Sequence, residues 1–137
     1  MVTTGASANA ANQQWQTAVG TGVVRLGAGL VLLRWRERIV RICGGVPSDR
    51  LVRTVFTYFG IRDIVLGASA LLATRPGADV RKQVAVQGAA DATDTAILTG
   101  LVRGGKLAPV QGSGAAALAA VTAATNFAVS FRLSRLR

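Results

Sequence analysis

The sequence predicts an all-α fold, a bundle of four transmembrane helices, and three observations carry that prediction. Half of the 137 residues are hydrophobic and only 16% are charged, against about 25% in ordinary soluble domains. Four apolar segments each approach the ~20 residues that a helix needs to cross about 30 Å of hydrocarbon. Three of the six acids, Asp63, Asp91 and Asp94, fall inside those segments, as do two bases, Arg25 and Arg62. A carboxylate at bilayer depth costs about 2.5–3.5 kcal/mol on insertion scales, so it takes a partner inside the bundle. Arg25 and Arg62 are the expected partners.

The first segment runs from about Gln14 to Leu33, interrupted by Arg25, and leads into the basic run LRWRERIVR. The 13 residues before it are polar, uncharged and expected to be mobile. The second follows Pro47 and Ser48, with Ser48 as the expected N-cap, and continues to about Thr74, where Arg75-Pro76-Gly77 stops it. The third runs from about Lys82 to Val102, and Gly104-Gly105 with Pro109 marks the turn after it. The fourth, Gly112 to Phe131, is almost all small and apolar and closes on the basic tail 132–137, with Arg132, Arg135 and Arg137. Four spans, over about 14–131, put both termini on one side. The first and third loops carry Arg34, Arg36, Arg38, Arg41, Arg50, Arg53, Arg103 and Lys106, against Arg75, Arg81, Lys82, Arg132, Arg135 and Arg137 opposite. The concentration of bases in the first loop favours the cytoplasm for that face. The alternative architecture is a soluble four-helix bundle, since buried helices can also be apolar all round; the second and fourth segments offer it almost no polar face.

A net charge of +10 raises nucleic acid as a partner, but the placement of the bases argues against it. Apart from Arg25 and Arg62, every Lys and Arg lies at or between the ends of apolar segments, where lipid headgroups are met. Stacking aromatics for single strands are also missing. The expected partner is therefore the lipid bilayer, with a homodimer or a larger membrane complex as the protein-level options. Arg34, Arg38 and Arg41 share one face if Leu33 to Arg41 forms an interfacial helix, and they are the expected headgroup contacts. The other reading of that stretch is a positive flank anchoring the first span. One cysteine, Cys43, excludes an intramolecular disulfide, and the absence of histidine removes the commonest metal ligand and general base. No metal, no cofactor and no catalytic residue are expected. The preference for Arg over Lys with abundant Ala and Gly points to a GC-rich bacterium, and the expected location of the four spans is its inner membrane. Gly20-Thr21-Gly22 begins like a dinucleotide fingerprint, but it lacks the third glycine and follows no strand, so helix packing accounts for it.

Residues three and four apart share a helix face, and this spacing gives each span a small or polar seam. These are Gly22, Arg25 and Gly29 in the first span, and Gly60, Asp63, Gly67 and Ala70 in the second. The third has Gln87, Asp91 and Asp94, and the fourth Ala115, Ala119, Thr122 and Asn126. Small residues let membrane helices approach closely, so Gly22, Gly29, Gly60, Gly67 and Gly88 are expected packing positions. The expected polar core is Arg25, Arg62, Asp63, Gln87, Asp91, Asp94 and Asn126. Its charges either fix helix register, the best-attested role for buried polar groups, or mark a proton or ligand path. Asp91 and Asp94 lie one turn apart, so one of them would carry a proton unless an arginine separates them.

The stretches FGIRDIVLGASALL (Phe59 to Leu72) and QGAADATDTAILTGL (Gln87 to Leu101) resemble a family of small four-span bacterial membrane proteins defined only as a domain of unknown function. Gly60, Arg62, Asp63 and Gly67 fit its Gly-x-Arg-Asp-x-x-x-Gly pattern. Asp91 and Asp94 fit Ala-x-x-Asp-x-x-Asp, with Gly88 in place of the alanine. The likeness runs over about Val19 to Phe131, with a looser one to proteins of the DoxX type. It implies the four-span architecture and the site residues, and no reaction. Sequence reasoning thus leads to a non-enzymatic accessory or scaffold protein, or a bundle that binds a lipophilic ligand. The alternative is a small homodimeric proton-coupled transporter.

Overall fold

A computed structural model describes residues 4–75 and 78–134. Among the described residues the fold is all-α, with five helices in place of the expected four: α1 (Thr4–Arg34), α2 (Arg36–Ile42), α3 (Arg50–Leu72), α4 (Val80–Arg103) and α5 (Pro109–Ser134). The additional helix is the seven-residue α2, which sits in the basic run. Trp35 leaves helical geometry at φ −116°, ψ 25°, yet the chain keeps its hydrogen bonds through it, Trp35 N–H to the Val31 carbonyl and Ile39 N–H to that of Trp35. The run is therefore a bend in a helical path, and Arg34 ends α1 while Arg38 and Arg41 belong to α2. α1 begins at Thr4, ten residues ahead of the apolar segment read from sequence.

The boundaries follow local chemistry. Asp49, and not Ser48, caps α3: its carboxylate accepts from the amides of Leu51 and Val52 at 2.9 and 3.1 Å, which a hydroxyl one residue earlier does not do. Asp79 caps α4 through the amide of Lys82 at 3.3 Å. Pro109 occupies the first position of α5, where its missing N–H costs nothing. Gly44 (φ 73°) and Gly105 (φ 66°) end α2 and α4 in the left-handed region. In both, the next two amides fold back on the last turn, Gly44 to Arg41 and Gly45 to Val40, then Gly105 to Val102 and Lys106 to Leu101. The Pro76-Gly77 stop and the terminal Arg135 and Arg137 lie outside the described residues.

α1 lies along α3, and α4 along α5, while contact between the two pairs is sparse. The α1–α3 contact is nearly backbone on backbone. A Cβ added to Gly29 would meet the Gly60 carbonyl at 2.6 Å, and one added to Gly67 would meet the Gly22 carbonyl at 2.7 Å. Gly88 serves the other pair, against the Phe127 ring at 3.3 Å. The interior is layered. Val40, Val52, Phe56, Phe59, Leu98 and Leu101 form an apolar cluster at the α2 end, and Ala18, Val80 and Val84 form a smaller one at the other. Charged and amide side chains fill the layer between. The loop after α2 and the loop after α4 share one end, joined by Ala108 N–H to the Gly44 carbonyl at 3.1 Å and by Lys106 to Asp49 at 2.7 Å.

Between its basic ends the outside is largely apolar. Val23, Leu30, Val65, Val86, Val121 and Phe131 are all exposed, an arrangement that water penalises and lipid does not. Among the described residues, three helices are long and apolar enough to cross a membrane: Trp15–Arg34, Arg50–Leu72 and Pro109–Arg132. The expected fourth, α4, falls short on composition because Gln87, Asp91 and Asp94 occupy its middle.

Candidate functional site

Four of the five helices contribute to the polar layer through the seams read from sequence, joined on α3 by Arg62, which lies outside its seam. From α4 come Asp91 and Asp94, one turn apart and both buried. α1 supplies Arg25, also buried, α3 supplies Arg62 and Asp63, and α5 supplies Asn126. Arg25 donates to Asp63 at 2.8 Å and to Asp91 at 2.5 Å. Arg62 grips Asp94 with both terminal nitrogens, Nη2 to Oδ2 at 2.5 Å and Nη1 to Oδ1, and also reaches Asp63 at 3.1 Å. Asn126 donates its amide to Asp91 Oδ2 at 2.8 Å. The result is a chain of polar contacts, Asn126–Asp91–Arg25–Asp63–Arg62–Asp94, that ties the α1–α3 pair to the α4–α5 pair beside the apolar cluster that also spans them.

An arginine stands on each of the two neighbouring aspartates, Arg25 on Asp91 and Arg62 on Asp94, which relieves their mutual repulsion. Asp63 is then the shared member: both guanidinium contacts fall on its Oδ1. Arg62 is further held by the Ala90 carbonyl at 3.1 Å and lies 5.7 Å from the centroid of the Phe59 ring. Three carboxylates face two guanidiniums, so the fully ionised layer carries one excess negative charge.

Gln87 is placed apart from this chain. It is fully buried, 0% exposed, and both ends of its amide lack a hydrogen-bond partner among the described residues. One turn earlier, Gln83 donates to Ser69 at 2.6 Å and to the Leu66 carbonyl at 3.4 Å. Gln83 was not among the expected core residues. The spacing 83, 87, 91, 94 would have found it, since it extends the same face by one turn. The roles of the Ala90 carbonyl and the Phe59 ring left no mark in the sequence.

Above the polar layer lies a cleft of about 520 Å³ between α1 and α5, which do not pack along each other. Its floor includes Arg25, Asp63, Asp91, Asp94 and Asn126, and its walls are Val24, Leu32, Phe56, Phe59, Leu98 and Leu118 among others. Val24 and Leu118, each 69% exposed, stand on the two helices that flank it, so the cleft opens sideways onto the apolar surface. Cys43 lines its α2 end, and burial raises the thiol pKa above its ordinary value. The seven-residue α2 and the end of α1 form a second, shallow depression lined by Arg34, Arg36, Arg38 and Arg41. Arg36 is anchored there by Thr57 at 3.0 Å, and Arg41 faces Glu37 at 3.7 Å. The described residues contain no group of His, Cys, Asp and Glu arranged to hold a metal.

No family model matches the chain, and neither does any curated protein or solved structure, so the motif likeness rests on the quoted residues alone.

Proposed function

We propose that the protein is a four-span bundle of the bacterial inner membrane that binds a lipophilic small molecule in the cleft between α1 and α5, without catalysing a reaction on it. α4 is the fourth span in this reading. Its 24 residues, at about 1.5 Å each, reach about 36 Å, and the charges that lower its hydropathy meet their partners on neighbouring helices. Trp15 and Trp35 stand at the two ends of the first apolar stretch, 20 residues apart, or about 30 Å along a helix, the span between the interfacial aromatic belts of a bilayer. The basic depression at α2 is where lipid phosphates would be met, through Arg34, Arg38 and Arg41.

The observation that carries the ligand reading is the cleft itself: apolar walls, a polar floor and a sideways mouth. Ligand sites are commonly hydrophobic cavities of this size with a few convergent polar groups. The single cysteine gives the test. With the protein in lipid nanodiscs, a lipophilic occupant should slow alkylation of Cys43 by a maleimide, and Ala119→Trp, which fills the cleft, should slow it without any occupant. Alkylation that is indifferent to both would rule the cleft out as a binding site. The excess carboxylate favours one second reading, a homodimeric proton-coupled transporter. That reading fails if proton flux into proteoliposomes is unchanged by Asp91→Asn and by Asp94→Asn.

A further inference from the structure

The charge of the floor restricts what the cleft can hold. Of the charged groups lining it, α1 offers Arg25, α3 offers Asp63, and α4 offers Asp91 and Asp94; α2 and α5 line it with uncharged residues only, and Cys43 with a thiol. Arg62, the second guanidinium, neutralises Asp94 and is not part of the lining. Three carboxylates share two guanidiniums, and Asp63 takes one contact from each on Oδ1 alone, which leaves its Oδ2 without a hydrogen-bond partner among the described residues. Asp63 also lines the cleft. In surroundings of low dielectric, a single uncompensated charge acts strongly on whatever enters, and it disfavours anionic and neutral occupants relative to a cation.

From this charge count, and resting on the cleft reading above, we infer that the cleft selects an amphiphile with one positively charged headgroup, a lipophilic amine or quaternary ammonium, whose cation sits by Asp63 and whose chain lies along Val24, Phe59 and Leu118. Such a ligand brings the layer to electrical balance, three positive charges against three negative. Fatty acids and other anionic amphiphiles, which share the apolar chain, are excluded by the same count. The mouth between α1 and α5 lets the ligand enter from the lipid, with no passage through an aqueous opening.

The experiment compares three amphiphiles of one chain length, dodecyltrimethylammonium, dodecanol and dodecyl sulfate, for protection of Cys43 from maleimide in nanodiscs of zwitterionic lipid. The cation is expected to protect at about a tenfold lower concentration than dodecanol, an advantage worth about 1.4 kcal/mol, and dodecyl sulfate is expected not to protect. Equal protection by the cation and dodecanol overturns the headgroup inference and leaves the cleft reading in place. Absence of protection by all three removes both. Asp63→Asn leaves two carboxylates for two guanidiniums, and it should abolish the preference for the cation while dodecanol still protects. Dodecanol protection in that variant also reports that it has folded, and a preserved cation preference in it would overturn the role of Asp63.

Discussion

At the scale of the residue, the polar layer behaves as a set of buried ion pairs, where removing one partner strands the other. Replacing Arg25 by methionine leaves Asp91 with Asn126 alone and Asp63 with Arg62 alone. Breaking a buried pair in this way costs about 3–5 kcal/mol, so Arg25→Met is expected to lower the thermal midpoint in detergent well below that of any surface Arg→Met control. Gln87 predicts the opposite behaviour. Its amide is buried without partners, and methionine keeps its volume without the polar atoms, so Gln87→Met should match or exceed the parent stability, by about 1 kcal/mol at most. A large loss in that variant would mean the amide has a partner after all. Asp49 supplies the pH dependence outside the membrane. The Lys106 ammonium, helped by the Val52 and Leu51 amides, holds its carboxyl below the ordinary value. A depressed carboxylate stabilises the fold above its unfolded pKa and stops doing so as pH falls through the folded one. The α3 cap should therefore weaken only in acid below the usual carboxylate range, and Asp49→Asn should flatten that part of a stability–pH curve.

At the scale of the element, the glycines divide into those that carry packing and those that do not, and the sequence seams separated most of them. Gly22, Gly29, Gly60 and Gly67 put two backbones in contact, and any side chain at Gly67 would run into Gly22 and Leu26. Overpacking of this kind costs about 1–3 kcal/mol, so Gly67→Val should loosen the α1–α3 pair, read as faster proteolysis or lower melting. Gly20 and Gly27 lie in the same helix with nothing within 4 Å of an added Cβ. Gly20→Ala should raise stability by about 0.5–1 kcal/mol through helix propensity alone. The period of 3 and 4 residues was enough to distinguish these faces. It did not show that the four glycines of α1 and α3 meet each other, because spacing along one helix says nothing about the partner. Nor did it reveal that Trp35 divides the basic run, since the bend is a matter of a single residue's φ and ψ.

At the scale of the whole molecule, a largely apolar surface between two basic ends surrounds a charged interior, the reverse of a protein built for water. The two helix pairs are internally tight and meet through the Arg/Asp layer and the apolar cluster beside it, so the width of the cleft depends in part on that layer. Asp91→Asn and Asp94→Asn are expected to alter Cys43 accessibility even though neither residue touches the thiol, and unchanged labelling in both would separate the layer from the cleft. Alkaline carbonate washing of membranes checks the larger claim: an integral bundle stays in the pellet, and a protein held only by its basic surface is released.

What the sequence determined by itself was the helical class, three of the four expected apolar spans and which charged residues share the interior. Those follow from local periodicity and from the cost of leaving Asp63, Asp91 and Asp94 alone in an apolar setting. Only the tertiary structure decided who pairs with whom, that Asp63 is shared between two arginines, that Gln87 is buried without a partner, and that a cleft remains between α1 and α5. Pairing and cavities depend on how helices distant in the chain are laid side by side, and one-dimensional spacing carries no record of that arrangement.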